Sequence, residues 1–448
     1  PIFLDRKSKL SKLNCKKLSE IADIYSGLAY SSKLIQETKT IDTEIPIVKI
    51  GNVTRKTKYE DLDFVDFANI SSNQLLQNDD ILMTMTGDPP DVGKCNIWFS
   101  RENEQSLTYN QRVCRIVSKN TVLSPLQLYV FLNTEYARYH SERYAMGIRQ
   151  RNVSINDIRN IEIPIFSSDL NNLIENVIKD YFISLQTSKS LYQEATNILF
   201  KSLGINEWKA ENKDIRIKDK KYKIENTENN KTFSKVNNTR RFDAEYWLPK
   251  YEQLTEKINT NCNNILPISE LQLFNNRGFQ PNYSEDGEVS VVNSRHILET
   301  ELDYDNFEKT DKENLIKQKR AVLEKYDILT YTTGANIGRT NVYLKDDLAI
   351  GSNHVNILRV DRNPIYVGFV MNSIVGRYQT ERLATGTAQA ELYPSDVNSF
   401  EIPFIKQTDI ENIEELLLSS FENGNKSKGL IELSRQVVDL AIEKGEKE

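Results

Sequence analysis

The residues best equipped for chemistry in this chain are hydrogen-bonding rather than reactive. Gly147-Ile148-Arg149-Gln150-Arg151-Asn152 carries two arginines, with an amide on each side of Arg151, behind a flexible glycine and just ahead of Ser154, a helix-capping type. A guanidinium fork matches guanine O6/N7, and a carboxamide matches adenine N6/N7. The same residues also suit a solvated loop whose arginines pair with Glu142 or Asp157. Reactive groups are scarce. The histidines, His140, His296 and His354, are too few and too scattered for a His-built metal centre or a nucleophilic triad. The cysteines, Cys15, Cys95, Cys114 and Cys262, show no zinc-ligand or thioredoxin spacing and read as reduced thiols.

Such groups need a scaffold. With 448 residues, 39% hydrophobic and 27% charged, the chain has material for two or three domains and is not disordered by composition. Mean hydropathy is −0.54, and no run approaches the roughly 18 apolar residues of a membrane span. A soluble, cytoplasmic protein without membrane contact is expected. Residues 1–15 lack the apolar stretch of a signal peptide, and the chain opens on proline rather than an initiator methionine. Lys and Arg total 58 against 64 Asp and Glu, a net charge of −6, so any nucleic-acid contact must rest on local patches.

The chain is written twice. RYHSERYAMGIRQRNVSINDIRNIEIPI (138–165) aligns with RYQTERLATGTAQAELYPSDVNSFEIPF (377–404), matching Arg138/Arg377, Tyr139/Tyr378, Glu142/Glu381, Gly147/Gly386 and Pro164/Pro403. Upstream, NDDILMTMTGDPPDVGKCNIWF (78–99) aligns with KYDILTYTTGANIGRTNVYL (325–344), and Leu18-Ser19-Glu20-Ile21 with Ile268-Ser269-Glu270-Leu271. This is a tandem duplication. Each copy begins with short runs rich in Val, Ile, Tyr and Thr, such as IPIVKI (45–50), DILMTM (80–85) and RVCRIV (112–117), which read as strands separated by turns. A helix is predicted over 124–140, with Ser124 as its cap and Pro125 in its first turn.

A long helical pattern follows each copy. In 168–203, with Ser168 as cap, Ile174, Val177, Ile178, Leu191 and Ile198 recur at spacings near three and four. Ile413, Leu416, Leu417, Leu430 and Val437 repeat that stripe in register, although Gly424 and Gly429 weaken its middle. Two helices about 50 Å long can bury these stripes on each other as an antiparallel coiled coil, or each can cover the core of its own domain. The expected fold is α+β: two tandem mixed α/β domains, each followed by a long helix. The boundaries are 1–166, helix 167–203, linker and following segment 204–266, 267–405, and helix 406–448. Within 204–241, eleven basic side chains outnumber six acidic ones, and Ile215, Ile217, Tyr222 and Ile224 alternate as in a small hairpin.

The linker ends in Arg241-Phe242-Asp243-Ala244-Glu245-Tyr246-Trp247, with Pro249 and Tyr251 beyond. Together with the paired DIL…G…GK/R segments and the paired IEIPIF and FEIPFI ends, this resembles the DNA-specificity (S) subunits of Type I restriction–modification systems over nearly the whole chain. The resemblance implies two target-recognition domains, each reading one half of a bipartite site on double-stranded DNA. It further implies helices that act as a ruler and as the dock for two methyltransferase subunits, with restriction/translocase subunits as further partners. No catalysis and no cofactor are then expected of this chain, S-adenosylmethionine belonging to the partner adenine-N6 methyltransferase. The first copy has no RFDAEYW counterpart before Lys17, which leaves two readings open: a chain cut short there, and an arm that has diverged.

Under this resemblance the DNA-contact candidates in the first copy are Lys49, Asn52, Arg55, Asn110, Gln111 and Arg112, together with Arg149, Gln150, Arg151 and Asn152. In the second they are Arg277, Asn293, Arg295, His296, Asn336, Arg339, Asn353, His354, Thr387 and Gln389. Gly386-Thr387-Ala388-Gln389-Ala390-Glu391 loses both arginines of its counterpart but keeps a glutamine. Asp88-Pro89-Pro90-Asp91 has the outline of a methyltransferase motif, yet Asp91 stands where a ring must stack on a flipped base, so it reads as a turn. Asp219-Lys220-Lys221 is a common triplet in so charged a chain and does not mark a nuclease. Two other readings stay open: the specificity portion of a fused restriction–methylation enzyme, and a scaffold that does not bind DNA.

Overall fold

The computed structural model describes residues 8–30, 35–36, 43–54, 62–66, 70–88, 91–99, 106–147, 150–209, 244–386 and 389–446. Arg55, Arg149, Thr387, the prolines Pro89 and Pro90, and linker residues 210–243 lie outside them, the expected hairpin and Arg241-Phe242-Asp243 included. The chain forms two compact units, Pro1–Gln186 with Asn423–Glu448, and Thr187–Glu422.

In the first unit, β1 (Cys15–Lys17) pairs antiparallel with β11 (Glu162–Pro164). Between them lies an antiparallel sheet in the order β2 (Ala22–Ser26), β9 (Val113–Ser118), β5 (Ile81–Thr84), β7 (Cys95–Ile97). The central β5 is buried at every position, whereas the edge strand β7 alternates buried and exposed. That is why DIL reads as a continuous apolar run and Cys-Asn-Ile does not. A second sheet orders β4 (Asp63–Asp66), β3 (Glu44–Val48) and β8 (Thr108–Tyr109), with β3 antiparallel to β4 and parallel to β8. Two short strands, β6 (Thr86–Gly87) and β10 (Arg151–Asn152), pair at the ends of these elements.

The second unit repeats this plan. β12 (Ile265–Pro267) pairs with β20 (Glu401–Pro403), and β13 (Gln272–Arg277), β19 (Val355–Val360), β16 (Ile328–Tyr331) and β17 (Thr340–Val342) follow the same order as their counterparts. β14 (Val289–Val292) lies between antiparallel β15 (Glu308–Thr310) and parallel β18 (Ala349–Gly351). The fold is mixed α/β and carries the same topology twice.

An ion pair built on a buried aspartate anchors each central sheet. Asp80, just before β5, accepts from the Gln77 amide at 2.6 Å and from Arg115 on β9, both side chains being 5% exposed or less. In the second copy Asp327 takes both arms of the Arg359 fork, at 2.8 and 2.9 Å, and the Glu324 amide at 2.7 Å. Burial pushes both carboxyls up, and the arginine hydrogen bonds pull them part of the way back.

The sequence pattern predicts one helix over 124–140; the structure has two, Pro125–Leu132 and Glu135–Tyr144. Ser124 caps the first as expected, in a reciprocal box with Gln127. The break comes at Asn133-Thr134, where the Thr134 hydroxyl donates to the Phe131 carbonyl at 2.7 Å and competes with the helix. Tyr136 and Ala137 on the redirected helix then join the core. Pro364–Asn372 and Ile374–Leu383 break the same way, with Ser373 donating to Val370.

The long helices are Ser168–Ser202 and Gln407–Lys444. Ser167, one residue before the expected cap, receives the Leu170 and Asn171 amides. In the first unit Ile174 and Ile178 share a buried cluster with Val438 and Ile442, and Val437 packs against it. In the second, Ala195, Leu199 and Ile413 are buried together, with Ile198, Leu416 and Leu417 against them. Val177, Leu191 and Leu430 are half-buried. The buried faces also carry Ser184, Ser420, Ser427 and Ser434, which an apolar count passes over. Ser420 donates to the Ser188 carbonyl at 2.7 Å, and Ser427 and Ser434 donate to carbonyls of their own helix at the same distance. Among the described residues no helix is long and apolar enough to cross a membrane.

Two stability predictions follow from this architecture. Arg115→Ala leaves the Asp80 carboxyl buried without its partner and lowers unfolding free energy by about 3–5 kcal/mol. A urea titration showing a loss under about 1 kcal/mol contradicts that role for the pair. Gly429 sits inside an intact helix, and a Cβ there meets nothing within 4 Å. Gly429→Ala is therefore expected to add about 0.5–1 kcal/mol and raise the melting temperature.

Candidate nucleic-acid interface

Main-chain hydrogen bonds bring the first copy's candidate segments together at one end of the central strands. The Met85 amide donates to the Arg112 carbonyl at 2.8 Å, and the Val153 amide donates to the Met85 carbonyl at 2.9 Å. The Asn110 amide donates to the Val48 carbonyl at 3.0 Å, which adds the segment carrying Lys49 and Asn52. Four stretches distant in sequence thus form one rim.

Their side chains differ in freedom. Asn110 is buried and its Oδ1 accepts the Arg112 amide, so it shapes the turn, while Gln111 and Arg112 are exposed. Lys49 pairs with Asp63, burial lowers its pKa, and its amide donates to Asn52 Oδ1 at 2.7 Å. Arg151 stands opposite Gly87, and Asn152 opposite Thr86, whose hydroxyl donates to the Asn152 amide oxygen. Gln150 is exposed and Arg151 half-buried. Gly147 has φ +134°, and a Cβ there would lie 2.1 Å from the Gln150 carbonyl, so the tight return requires glycine. At the neck of that return, Met146 exchanges two 2.8 Å main-chain bonds with Asn152 and stands 79% exposed.

The second copy builds its rim the same way. The Thr332 amide donates to the His354 carbonyl at 3.1 Å, the Leu392 amide to Thr332 at 2.9 Å, and the Ser352 amide to Val292 at 2.9 Å. Asn336, Arg339, Asn353, His354 and Gln389 come together on these turns, and Asn293 and Arg295 follow directly on β14. Arg277 donates to the Leu392 carbonyl at 2.8 Å and lies 4.7 Å from the centre of the Tyr393 ring. Asn353 Nδ2 is 3.4 Å from His354 Nε2, and His354 and Gln389 are exposed. Asn293 accepts from the Tyr283 hydroxyl and donates to Glu308, which also pairs with Arg295. Gly386 repeats the constraint at Gly147, with φ +122°. Tyr283 and Tyr393, both largely exposed on this rim, were passed over in sequence because isolated aromatics in turns form no pattern.

His296 is different in kind. It is 2% exposed, its Nδ1 accepts the Asn293 amide at 3.0 Å, and its Nε2 faces Glu308 at 3.1 Å. It caps a turn from inside the core. Burial, reinforced by Arg295, lowers its pKa from 6.5 to about 4. A folded-state value below the unfolded one confers stability at high pH that is lost as pH falls from about 6.5 towards 4. The urea midpoint is expected to drop between pH 7 and pH 5, and to drop less in His296→Gln. Equal drops in the two proteins exclude this histidine as the source.

Residues 11–197 match the family model described as Type I restriction modification DNA specificity domain. No curated protein matches the chain in sequence. Among solved structures, the Type-I restriction-modification system S subunit from M. genitalium is 13% identical, with 97% of this chain and 96% of that one covered and a TM-score of 0.44. The HsdS subunit from Thermoanaerobacter tengcongensis is 12% identical, with 97% of each chain covered and a TM-score of 0.29. The type IIG restriction endonuclease BpuSI is 11% identical over 40% of this chain and 28% of its own, with a TM-score of 0.29. Residues 11–197 are thus similar to the Type I restriction modification DNA specificity domain, and the chain carries the topology of that stretch twice.

Proposed function

We propose that this chain is the sequence-reading subunit of a Type I restriction–modification system, each copy contacting one half of a bipartite DNA site. The observation that carries this reading is the pair of rims. Each gathers guanidinium and amide groups from segments far apart in sequence, and only the second adds an imidazole, His354, so the two rims differ in composition. A duplicated domain with unlike rims suits an asymmetric target in which each half is read by its own hydrogen-bond pattern. Discrimination of about 1–3 kcal/mol per bidentate base contact requires several such groups per rim.

In this reading the two long helices pair as an antiparallel coiled coil that sets the spacing between half-sites and docks two methyltransferase subunits. The chain itself is non-catalytic, works in the cytoplasm, and directs adenine-N6 methylation and restriction by its partners. S-adenosylmethionine is held by the methyltransferase.

The test is to co-express the chain with its neighbouring methyltransferase and map N6-methyladenine across the host genome. Methylation at one split motif is expected, one half changing when residues 17–165 are exchanged for those of another such chain and the other half when 268–405 are exchanged. A motif indifferent to both exchanges, or no methylation, overturns the reading.

A further inference from the structure

Within the two unlike rims, one turn is built alike in both copies. Asp91-Val92-Gly93-Lys94 closes with the Lys94 amide donating to Asp91 at 3.4 Å, and Asn336-Ile337-Gly338-Arg339 closes the same way at 3.2 Å. The third residue is glycine in both, with φ of +82° and +85°, as a type II turn requires. The Gly93 amide donates to the Thr84 carbonyl at 2.9 Å, while the Thr84 amide donates to Lys94 at 3.0 Å. Gly338, Arg339 and Tyr331 repeat this with both bonds at 2.8 Å. Two residues therefore oppose one. This is a glycine β-bulge, a device that bends a strand and re-aims the side chain after it.

The bulge is locked in place. A Cβ on Gly93 would stand 2.6 Å from the Ser141 Cβ, and one on Gly338 would stand 2.7 Å from the Thr380 Cγ2, at aligned positions on the corresponding helices. The side chain after the glycine is basic in both copies. Lys94 is paired at 2.7 Å with Asp91, both partly exposed, so the pair is easily exchanged for another anion. The Arg339 guanidinium has no hydrogen-bond or ion-pair partner among the described residues. Aligning the two DIL segments sets Lys94 opposite Arg339, although only Arg339 stands out as a contact candidate in the sequence.

DNA presents a protein with one constant feature and one variable feature. Phosphates are the same at every site and fix position, whereas base edges differ and carry specificity. Structure held in common by two copies with unlike rims suits the constant feature. We propose that Lys94 and Arg339 are the phosphate-clamping residues of the two copies, set by their bulges to hold the DNA backbone while the other residues of each rim meet the bases. This rests on the DNA-reading function above.

The test measures affinity of the full-length chain for a fluorescent mixed-sequence duplex across a series of KCl concentrations. Losing one phosphate contact flattens the plot of log affinity against log salt by about 0.9. Lys94→Gln and Arg339→Gln are each expected to do so, the double variant to lose about 1.8, and Lys94→Arg and Arg339→Lys to keep the wild-type slope. Melting temperatures stay at the wild-type value, and the methylated motif in co-expressing cells stays the same. A wild-type slope in both glutamine variants overturns the proposal, as does an altered motif, which marks base reading instead. A wild-type chain whose binding is absent or insensitive to salt overturns the DNA-reading function itself.

Discussion

Asp80 and Arg115, and likewise Asp327 and Arg359, each join the lead-in of a central strand to its neighbour, with the carboxyl inside the core in both copies and the arginine buried in the first and partly exposed in the second. A charged pair in that setting tolerates little displacement, because the carboxylate left alone is a costly buried ion. It therefore holds two strands in one register. A slip of a single residue would turn every inward side chain outward, and it would also shift the turns at the far ends of the same strands. Those turns are the rim. The placement of Gln111, Arg112, Asn353 and His354 beside their neighbouring loops thus depends on a polar contact several residues away along the strand.

Much of this was legible in the sequence because it is local or repeated. The duplication, the long helices, the Ser124 cap and the short strands follow from spacing and residue type. The split of the expected 124–140 helix was hidden by one side chain, Thr134, whose hydroxyl competes for a helix carbonyl. The buried serines at 184, 420, 427 and 434 were hidden for the opposite reason: hydropathy assigns them to the surface, yet the hydroxyls of the last three are satisfied by a nearby carbonyl and so buried cheaply. Both aspartates of the DIL segments were visible as a match, but their arginines lie on another strand at no periodic distance. Among the candidate contacts, residue type alone did not separate the exposed Gln111 from the buried Asn110 and His296, which hold turns from within.

The rims also show how little of a net charge bears on a local surface. The chain carries −6 overall, yet Arg112, Arg151, Arg277 and Arg339 concentrate positive charge at the strand ends. Arg277 among them is already engaged by the Leu392 carbonyl and the Tyr393 ring. Such partners hold a guanidinium or ammonium in one orientation, which lowers the entropy lost when it meets an anion.

The short ladders β1–β11 and β12–β20 have a geometric consequence of their own. Each fixes the entry and exit of a copy one strand spacing apart, about 4.8 Å. Everything between those two points is then a closed excursion of the backbone. Its loops can lengthen, shorten or change composition at a cost that grows only with the logarithm of their length, while the points of attachment do not move. Each copy is built as an interchangeable cartridge, and the variable loop lengths that separate the two copies in this chain are what such a socket permits.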